Sequence, residues 1–308
     1  MVLLFLPMTP AVTEDRFELV RLRAGAWALR DRVVGEIMHP GCGPGAEAER
    51  LYVQQLRLPQ RFAEAQGQPV VVWDVGLGGA ANAITILRAA AVWPVPLRLI
   101  SFDTSLAALH FARQQAARLE YLAGWEPLLD RFLSQQEIQE SVGAAEVHWT
   151  FVPGDFATRI AEPDLVLPSP HAIAYDPFSP RRNPELWTLR TFQQLYRRLD
   201  PAQPCVLATY SRSSRVRMAL LLAGFFVGRG CPVGVKEETT VAANDPQWLE
   251  QPLDCGWLAR VRQSTAAEPA WLPDDPPRPL EPLTWEKLLR HPQFANPPKP
   301  AVRHHQPG

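Results

Sequence analysis

The stretch VVVWDVGLGGAANA, residues 70–83, decides the fold of this chain. Its first half is an apolar run interrupted by a single acid, Asp74, which predicts a buried parallel strand. The second half predicts a tight turn into a helix, because it contains three closely spaced glycines, Gly76, Gly78 and Gly79. A strand, a glycine-rich turn and a helix in this order are typical of nucleotide-binding α/β folds.

The acid before the glycines indicates which kind of nucleotide would bind there. A pyrophosphate favours a helix N-terminus that has no acid nearby. A sulfonium and an amino-acid ammonium are cations, and they tolerate Asp74 well. The pattern acid-x-G-x-G therefore favours S-adenosylmethionine as the cofactor, bound by Asp74 and the three glycines.

The composition is that of an ordinary globular protein. With 308 residues, of which 46% are hydrophobic, the chain can fill one large core or two small ones. A formal net charge of −1 argues against a surface that coats nucleic acid, so a nucleic-acid substrate requires a local basic patch. The four cysteines form no C-x-x-C pair, which indicates reduced thiols and no metal site. The apolar stretch Met1–Pro7 is too short for a signal peptide or a membrane span, so we expect a cytoplasmic protein without a membrane partner.

Beyond residue 70, short apolar runs alternate with helical stretches, which is typical of βαβ units that build a parallel sheet. The predicted strands are Val70–Val75, Arg98–Phe102, Val147–Val152, Ala172–Tyr175 and Cys205–Tyr210. The predicted helices are Asn82–Ala91, Leu106–Ala123, Leu128–Glu140 and Leu186–Leu199. The predicted fold class is therefore α/β, a doubly wound Rossmann-like fold. Together with the acid-x-G-x-G pattern, which is usual in methyltransferases that use S-adenosylmethionine, it resembles the class I methyltransferase fold.

Two further segments flank this fold. Phe17–Arg23 and Trp27–Val34 predict a short N-terminal β-hairpin, and a lead-in helix over Glu47–Arg57 is expected to end near Pro59. Prolines are concentrated after residue 265, which predicts a mostly extended tail with one helix at Trp285–Leu289. The expected division is residues 1–58 for the hairpin and lead-in helix, 59–262 for the methyltransferase domain and 263–308 for the proline-rich tail.

Acids also follow the next two predicted strands. Asp103 ends LRLISFD, where a carboxylate can accept hydrogen bonds from both ribose hydroxyls of a nucleoside. Asp155 follows the third strand in FVPGD, where an acid can meet an adenine amino group. Asp74 or Asp155 alone is equally well explained as a turn or helix-cap carboxylate. As an ordered set after three strands, however, the three acids favour a cofactor site along one edge of the sheet.

The loop YDPFSPRRNPELW, Tyr175–Trp187, follows the fourth predicted strand. Its prolines forbid regular helix or strand, so the loop is rigid and irregular. An amine that accepts a methyl group must point its lone pair at the methyl carbon, and Asp176 can hold its hydrogens in that orientation. An aspartate is a weak base, so we interpret Asp176 as an orienting acceptor and Phe178 as a surface on which a planar base stacks. The plainer alternative is a connector with a capping aspartate.

Two basic groups accompany this loop. The first consists of Arg181 and Arg182, and the second, after the fifth predicted strand, consists of Arg212, Arg215 and Arg217. Both groups could hold phosphates of a polynucleotide near the reaction centre. Charge runs of this size are as often part of a solvated surface.

The order of these motifs resembles the methyltransferase domain of the bifunctional tRNA wobble-uridine modification enzyme MnmC and, more closely, its stand-alone relatives. The resemblance covers about residues 15–240 and rests on the strings GEIMHPGCGPGAEAERLYVQQLRLPQRF, DPFSPRRNPELW, LATYSRSSRVRMALLLAGFFV and GVKEE. It implies that S-adenosylmethionine is the cofactor and that it contacts Gly76, Gly78, Asp103 and Asp155. It also implies that the substrate is tRNA, in which Asp176 orients the aminomethyl group of the wobble uridine for methylation.

The resemblance extends to residues outside the strand ends. It implies that Glu36, Met38 and His39 lie near the substrate or cofactor mouth of the site, although a lone histidine such as His39 is more often structural than catalytic. Asn183 and Lys236, which lie in the family-like strings, are further candidate substrate contacts. The flavin-dependent oxidase domain that follows in the bifunctional enzymes does not occur in this sequence, so a separate oxidase is the expected partner.

Two alternatives stay open from the sequence. A small-molecule amine methyl- or aminopropyl-transferase would share the fold and the acids but would need no basic groove. A degenerate methyltransferase fold that serves as a binding module would not bind S-adenosylmethionine at all.

Overall fold

A small antiparallel sheet opens the part of the chain that the structure describes. This computed structural model describes residues 16–234 and 236–295, so the stretch Met1–Pro7 lies outside the described residues. The sheet contains β1 (Phe17–Arg21), β2 (Trp27–Asp31) and β3 (Glu36–Ile37), in that spatial order. The predicted N-terminal hairpin is confirmed, and β3 extends it to three strands.

The main sheet has eight strands. They are β4 (Val70–Val75), β5 (Pro96–Asp103), β6 (Glu137–Val142), β7 (Ala145–Pro153), β8 (Ala172–Tyr175), β9 (Val206–Thr209), β10 (Phe226–Gly230) and β11 (Thr239–Ala243). Their spatial order is β10–β11–β9–β8–β4–β5–β7–β6. The five central strands are parallel, and the antiparallel strands lie at the two edges. The predicted α/β doubly wound fold is confirmed.

Helices cover both faces of this sheet. They are α1 (Pro44–Ala48), α2 (Leu58–Glu64), α3 (Ala81–Ala90), α4 (Ala107–Gln114), α5 (Glu126–Gln135), α6 (Phe156–Ala161), α7 (Leu189–Arg197), α8 (Ser214–Ala223), α9 (Cys255–Val261), α10 (Pro282–Leu289) and α11 (Pro292–Ala295). A π-helical segment, Glu49–Gln54, continues α1 directly. Short 3₁₀ turns lie at Glu120–Leu122, Pro184–Trp187 and Pro246–Trp248.

The apolar run of β4 explains why the sheet is buried on both faces. Val70 and Val72 belong to the core under α1 to α5, whereas Val71, Trp73 and Val75 belong to the core under α6 to α11. Because side chains alternate across a strand, a strand covered on both faces needs apolar residues at nearly every position. The polar exception, Asp74, is discussed with the site.

Three predicted helix boundaries are wrong. The helix expected over Leu106–Ala123 ends at Gln114, and a separate 3₁₀ turn follows at Glu120–Leu122. The helix expected over Leu128–Glu140 ends at Gln135, because Gln136 adopts a left-handed φ of 61° and the chain returns as β6, antiparallel to β7. This edge strand buries little besides Ile138, so it leaves no apolar run in the sequence. Pro59 does not end a helix but lies in the first turn of α2, where its missing N–H costs no hydrogen bond.

The segment after residue 262 packs on the main fold. The side chains of Ala267 and Leu288 are buried in the second core, and the helix predicted at Trp285–Leu289 lies within α10. The Gln293 amide donates to the Val227 carbonyl at 2.8 Å and accepts from the Val227 N–H at 2.7 Å, which satisfies part of the exposed edge of β10. The division of the chain at residues 58 and 262 stays a prediction, and residues 296–308 lie outside the described part.

Candidate active site

A cavity lies where the order of the strands reverses. From β4 the chain continues to β5 and β7 on one side, while β8 and β9 lie on the other side. Such a switch point opens a crevice at the carboxyl ends of the strands, and here it forms a cavity of about 920 Å³. Its wall brings together the predicted site residues Glu36, Met38, Gly76, Gly78, Gly79, Asp103, Asp155, Asp176, Phe178, Asn183 and Lys236.

The glycine loop after β4 forms the floor of the cavity. Gly76 and Gly78 have φ values of 92° and 49°, and residues other than glycine rarely adopt such a backbone conformation. The amides of Gly76 and Leu77 both donate to the Phe102 carbonyl, at 2.9 and 3.1 Å. A Cβ atom built on Gly76 would lie only 2.7 Å from the carbonyl oxygen of Asp176. The loop therefore touches the backbone of the residue predicted to face the substrate.

Asp103 ends β5 and points back toward the glycine loop. Its Oδ2 accepts a hydrogen bond from the Gly78 amide at 2.9 Å, and its Oδ1 accepts one from the Thr104 amide at 2.7 Å. Burial raises the pKa of Asp103, and these backbone amides oppose that rise. A fixed carboxylate in the cavity wall is suited to accept hydrogen bonds from ribose hydroxyls.

Asp155 caps a helix and also reaches the cavity. Its Oδ2 accepts hydrogen bonds from the amide and hydroxyl of Thr158, at 2.8 and 2.7 Å, and it thereby caps α6. The residue is also part of the cavity wall. The helix cap and a contact with a ligand are therefore compatible roles for Asp155. Its contact with an adenine stays a prediction.

Asp74 has a different place from the predicted one. It is fully buried in β4, is not part of the cavity wall and accepts a hydrogen bond from the Ser101 hydroxyl at 2.9 Å. Burial, with smaller contributions from the charges of Asp176 and Asp103, raises the pKa of Asp74 to about 7. The predicted direct contact with the cofactor is thus corrected to a supporting position beneath the glycine loop.

Asp176 follows β8 at the junction between the glycine loop and the rest of the cavity. The Asn82 side-chain amide donates to its Oδ2 at 2.9 Å. His39 Nε2 lies 3.6 Å from the same oxygen. Oδ1 accepts no hydrogen bond within the described part of the chain, and the buried Tyr52 hydroxyl, which has no other partner there, faces the same carboxylate.

Side chains from several elements form hydrogen bonds to the loop after Asp176, mostly to its backbone. The Tyr210 hydroxyl donates to the Pro177 carbonyl at 2.9 Å, and the Trp187 indole donates to the Phe178 carbonyl at 2.9 Å. Glu36, on β3, accepts hydrogen bonds from the amide and hydroxyl of Ser179. Glu36 therefore fixes the loop after Asp176 to the N-terminal sheet.

Sequence reasoning missed several buried polar groups next to Asp176. Glu47 on α1 accepts from the amides of Gly41 and Cys42, and burial raises the pKa of its carboxyl. Burial, followed by the charge of Asp176, raises the pKa of Tyr52 well above its ordinary range. The segment 36–55 carried a signal only through its family-like string, because its elements lie more than a hundred residues from Asp176 in the sequence.

Two of the predicted phosphate-binding arginines are corrected. Arg217 is 1% exposed, and its guanidinium donates to Glu238 Oε1 at 2.8 Å and to the Thr239 carbonyl at 2.7 Å. Arg215 donates to the carbonyls of Glu268 and Asp275, at 2.9 and 2.7 Å, and so anchors the C-terminal segment. Arg217 is buried and therefore not available to phosphates, whereas Arg215 is half-buried and its guanidinium is engaged by the C-terminal segment. The exposed arginines of the two groups are Arg181, Arg182 and Arg212.

The hydrogen-bond acceptors in the cavity wall fit a cationic nucleoside. The carboxylates of Asp103, Asp155 and Asp176 lie in its wall, and glycines keep the floor free of side chains where a ligand backbone would approach. Within residues 16–234 and 236–295, no three or more His, Cys, Asp or Glu side chains are grouped as metal ligands. None of the helices described above has the length and apolar character needed to cross a membrane.

Comparison with known proteins gives matches to methyltransferases. Residues 120–245 match a family model described as S-adenosyl-L-methionine-dependent methyltransferase. The tRNA 5-methylaminomethyl-2-thiouridine biosynthesis bifunctional protein MnmC of Methylibium petroleiphilum is 28% identical over 239 residues, which make up 76% of this chain and 35% of that protein. The protein of the same name from Cupriavidus metallidurans is 30% identical over 224 residues, or 69% of this chain and 32% of the relative. The chain thus spans about a third of the length of these curated relatives.

The fold also matches a solved structure. The crystal structure of MNMC2 from Aquifex aeolicus superposes with a TM-score of 0.64 and 24% sequence identity, covering 89% of this chain and 84% of that chain. At this identity the likeness concerns the fold.

Proposed function

We propose that this chain, an S-adenosylmethionine-dependent methyltransferase, methylates the exocyclic amine of 5-aminomethyl-(2-thio)uridine at the wobble position of tRNA. The curated relatives support this substrate, because their names state that they act in the biosynthesis of 5-methylaminomethyl-2-thiouridine in tRNA. The observation that carries the proposal is the place of Asp176. Its carboxylate lies in the cavity wall while its backbone touches the glycine loop, so acceptor site and cofactor site share one boundary.

Asp176 would orient the amine. S-adenosylmethionine, when bound, supplies an electrophilic methyl group on its sulfonium. The Asn82 amide fixes Asp176 Oδ2, which leaves Oδ1 to accept a hydrogen bond from the substrate nitrogen. Holding the nitrogen in one orientation directs its lone pair and removes the entropy cost of alignment from the reaction step.

Phe178 would receive the uracil ring. Its side chain is partly exposed in the cavity wall, two residues after Asp176. The Trp187 indole holds its carbonyl, and Pro177 and Pro180 restrict the backbone on both sides. An aromatic ring on a rigid loop offers a stacking surface that loses little freedom when a base binds.

The tRNA backbone would contact exposed arginines at the rim of the cavity. Arg181 and Arg182 follow Phe178 in the loop, and Arg212 follows β9. The Arg182 guanidinium lies over the turn before β3, since a Cβ built on Gly35 would be 3.2 Å from its Nη2. We propose that these residues, with Asn183 and Lys236 in the wall, form the local basic patch that a chain of net charge −1 requires.

The proposal has consequences for the cellular context. A tRNA substrate suits a cytoplasmic location. The names of the curated relatives state that they are bifunctional, and we propose that a separate flavin-dependent oxidase supplies the aminomethyl substrate.

The variants Asp176→Asn and Asp103→Asn test the assignment of the two sides of the cavity. Asp176→Asn should lower methylation of tRNA by about a hundredfold while S-adenosylmethionine affinity, measured by calorimetry, stays within about twofold. Asp103→Asn should instead weaken cofactor affinity first. Equal loss of cofactor affinity and methylation in Asp176→Asn would refute its role, and equal methylation of free 5-aminomethyluridine and tRNA would refute the tRNA substrate.

A further inference from the structure

We propose that His39 accepts the proton that the substrate amine must lose, and that Glu47 holds the imidazole for this step. The inference rests on the proposed amine substrate. It adds a catalytic base to a site in which Asp176 only orients.

The need for a base follows from the chemistry of the amine. An alkylamine has a pKa of about 10, so at pH 7 only about one molecule in a thousand has a free lone pair. A carboxylate is too weak a base to correct this, whereas an imidazole is suited to proton transfer near neutral pH. The site therefore requires a neutral nitrogen base close to Asp176.

His39 meets this requirement by position. Its Nε2 lies 3.6 Å from Asp176 Oδ2, and its Nδ1 lies 3.9 Å from Glu47 Oε2. The side chain is 11% exposed and forms part of the cavity wall, so a ligand in the cavity can reach it. A nitrogen bound at the free oxygen of Asp176 would be next to Nε2. Both separations are longer than a hydrogen bond, and catalytic hydrogen bonds commonly tighten only in the reactive complex.

The surrounding backbone fixes this position. His39 adopts a φ of 54°, a conformation that a residue other than glycine keeps only when its surroundings enforce it. The Met38 amide donates to the Leu29 carbonyl at 2.8 Å, which ties the segment to β2. Glu47 accepts from the amides of Gly41 and Cys42, and a Cβ on Gly41 would lie 2.5 Å from its Oε1. The turn after His39 therefore closes around Glu47.

The other titratable groups facing this cluster are less suited to accept the proton. Burial raises the pKa of Tyr52 and of Tyr210 well above the ordinary range, so both stay protonated hydroxyls. Burial lowers the pKa of Lys236, but its ammonium donates to the Tyr210 carbonyl at 3.3 Å and lies over the Tyr210 ring at 4.2 Å. Glu47 and Asp176 are carboxylates, and they stabilise the imidazolium that forms between them.

The reaction transfers one proton and then one methyl group. The substrate ammonium gives one proton to His39 Nε2, which turns the imidazole into imidazolium and frees the nitrogen lone pair. The nitrogen then bonds to the methyl carbon as the carbon–sulfur bond breaks, and the bonding pair stays on sulfur. The product is a secondary ammonium. His39 releases its proton to solvent at the cavity mouth.

The test is a single-turnover methylation of tRNA bearing 5-aminomethyl-2-thiouridine, measured from about pH 6 to about pH 9.5 for wild type and His39→Gln. At pH 7 the variant should be slower by about 10² to 10³-fold, and the deficit should shrink steadily as the pH approaches about 10, because the amine then ionises by itself. Affinities for tRNA and for S-adenosylmethionine should stay within about threefold of wild type. A merely structural role would lower the rate by the same factor at every pH.

Two further variants make the result unambiguous. His148→Gln removes an exposed histidine that also pairs with a glutamate, Glu137, outside the cavity, and it should react like wild type. His39→Gly fits the left-handed backbone, and added imidazole should restore part of its rate. A His39→Gln rate within threefold of wild type at pH 7, a deficit independent of pH, or no rescue of His39→Gly would each overturn the role of His39. A wild-type protein that does not methylate this tRNA would instead overturn the proposed function on which the role rests.

Discussion

Replacing Gly76 by alanine probes the contact between the two halves of the cavity. Gly76 has a φ of 92°, and a Cβ there would lie 2.7 Å from the Asp176 carbonyl oxygen, 2.9 Å from its carbonyl carbon and 3.1 Å from Pro177 Cα. All three neighbours are backbone atoms, so the overlap cannot be relieved by a side-chain rotation. The Asp176 loop must move away from β4 to accommodate the methyl group.

The magnitude follows from two separate costs. A left-handed backbone costs an alanine about 1–2 kcal/mol. Forcing an extra methyl group into packed backbone costs about 1–3 kcal/mol more. Gly25→Ala is the matched control, because Gly25 has a φ of 88° but no atom within 4 Å of its built Cβ. The difference between the two variants therefore isolates the clash with the Asp176 loop.

Urea unfolding measures the stability, and calorimetry and tRNA methylation measure the site. Gly76→Ala should lose about 1–3 kcal/mol more than Gly25→Ala, and it should lower both S-adenosylmethionine affinity and methylation by about tenfold or more. Gly25→Ala should leave both activities unchanged. If Gly76→Ala matches Gly25→Ala in stability and binds the cofactor like wild type, the close approach of the glycine loop and Asp176 is not what the site depends on.

Three further predictions concern Asp74 and two arginines of one segment, Arg217 and Arg212. Because burial raises the pKa of Asp74 to about 7 from an ordinary 3.8, the folded state retains a proton that the unfolded state has lost, so stability should fall as the pH rises from about 4 to about 7, by at most about 4 kcal/mol. Urea unfolding across this range should give a flatter profile for Asp74→Asn, and an unchanged slope would contradict the assignment. Arg217→Met should destabilise the fold by about 3–5 kcal/mol, since it leaves buried partners unsatisfied. Arg212→Glu should keep the wild-type unfolding free energy while weakening tRNA binding and its salt dependence, and the opposite pattern in the two arginine variants would refute the proposed patch.

The central strands and the glycine loop could be predicted from the sequence because they depend on local patterns. β4 and β8 have the predicted bounds, since strands buried on both faces leave continuous apolar runs. Asp103 and Asp176 lie in the cavity because parallel strands of a doubly wound sheet end at the same edge. The orientation of Asp74 could also have been predicted, because the alternation of a strand places it on the same face as Val72.

The remaining features depend on contacts that are distant in sequence. Arg212 and Arg217 are the same residue type in one short segment, and only the packing of α8 separates the exposed side chain from the buried one. His39 and Glu47 approach Asp176 from an N-terminal segment, and no periodicity encodes that contact. The edge strand β6 was missed because it buries almost no apolar surface.

The most direct test of the central claim is the identity of the nucleoside that receives the methyl group. The protein is incubated with methyl-labelled S-adenosylmethionine and unfractionated tRNA from cells that lack the wobble modification, and the tRNA is digested to nucleosides. Label in 5-methylaminomethyl-(2-thio)uridine, lost in Asp176→Asn, is the predicted result. Label in any other nucleoside, or no transfer to tRNA, would contradict it.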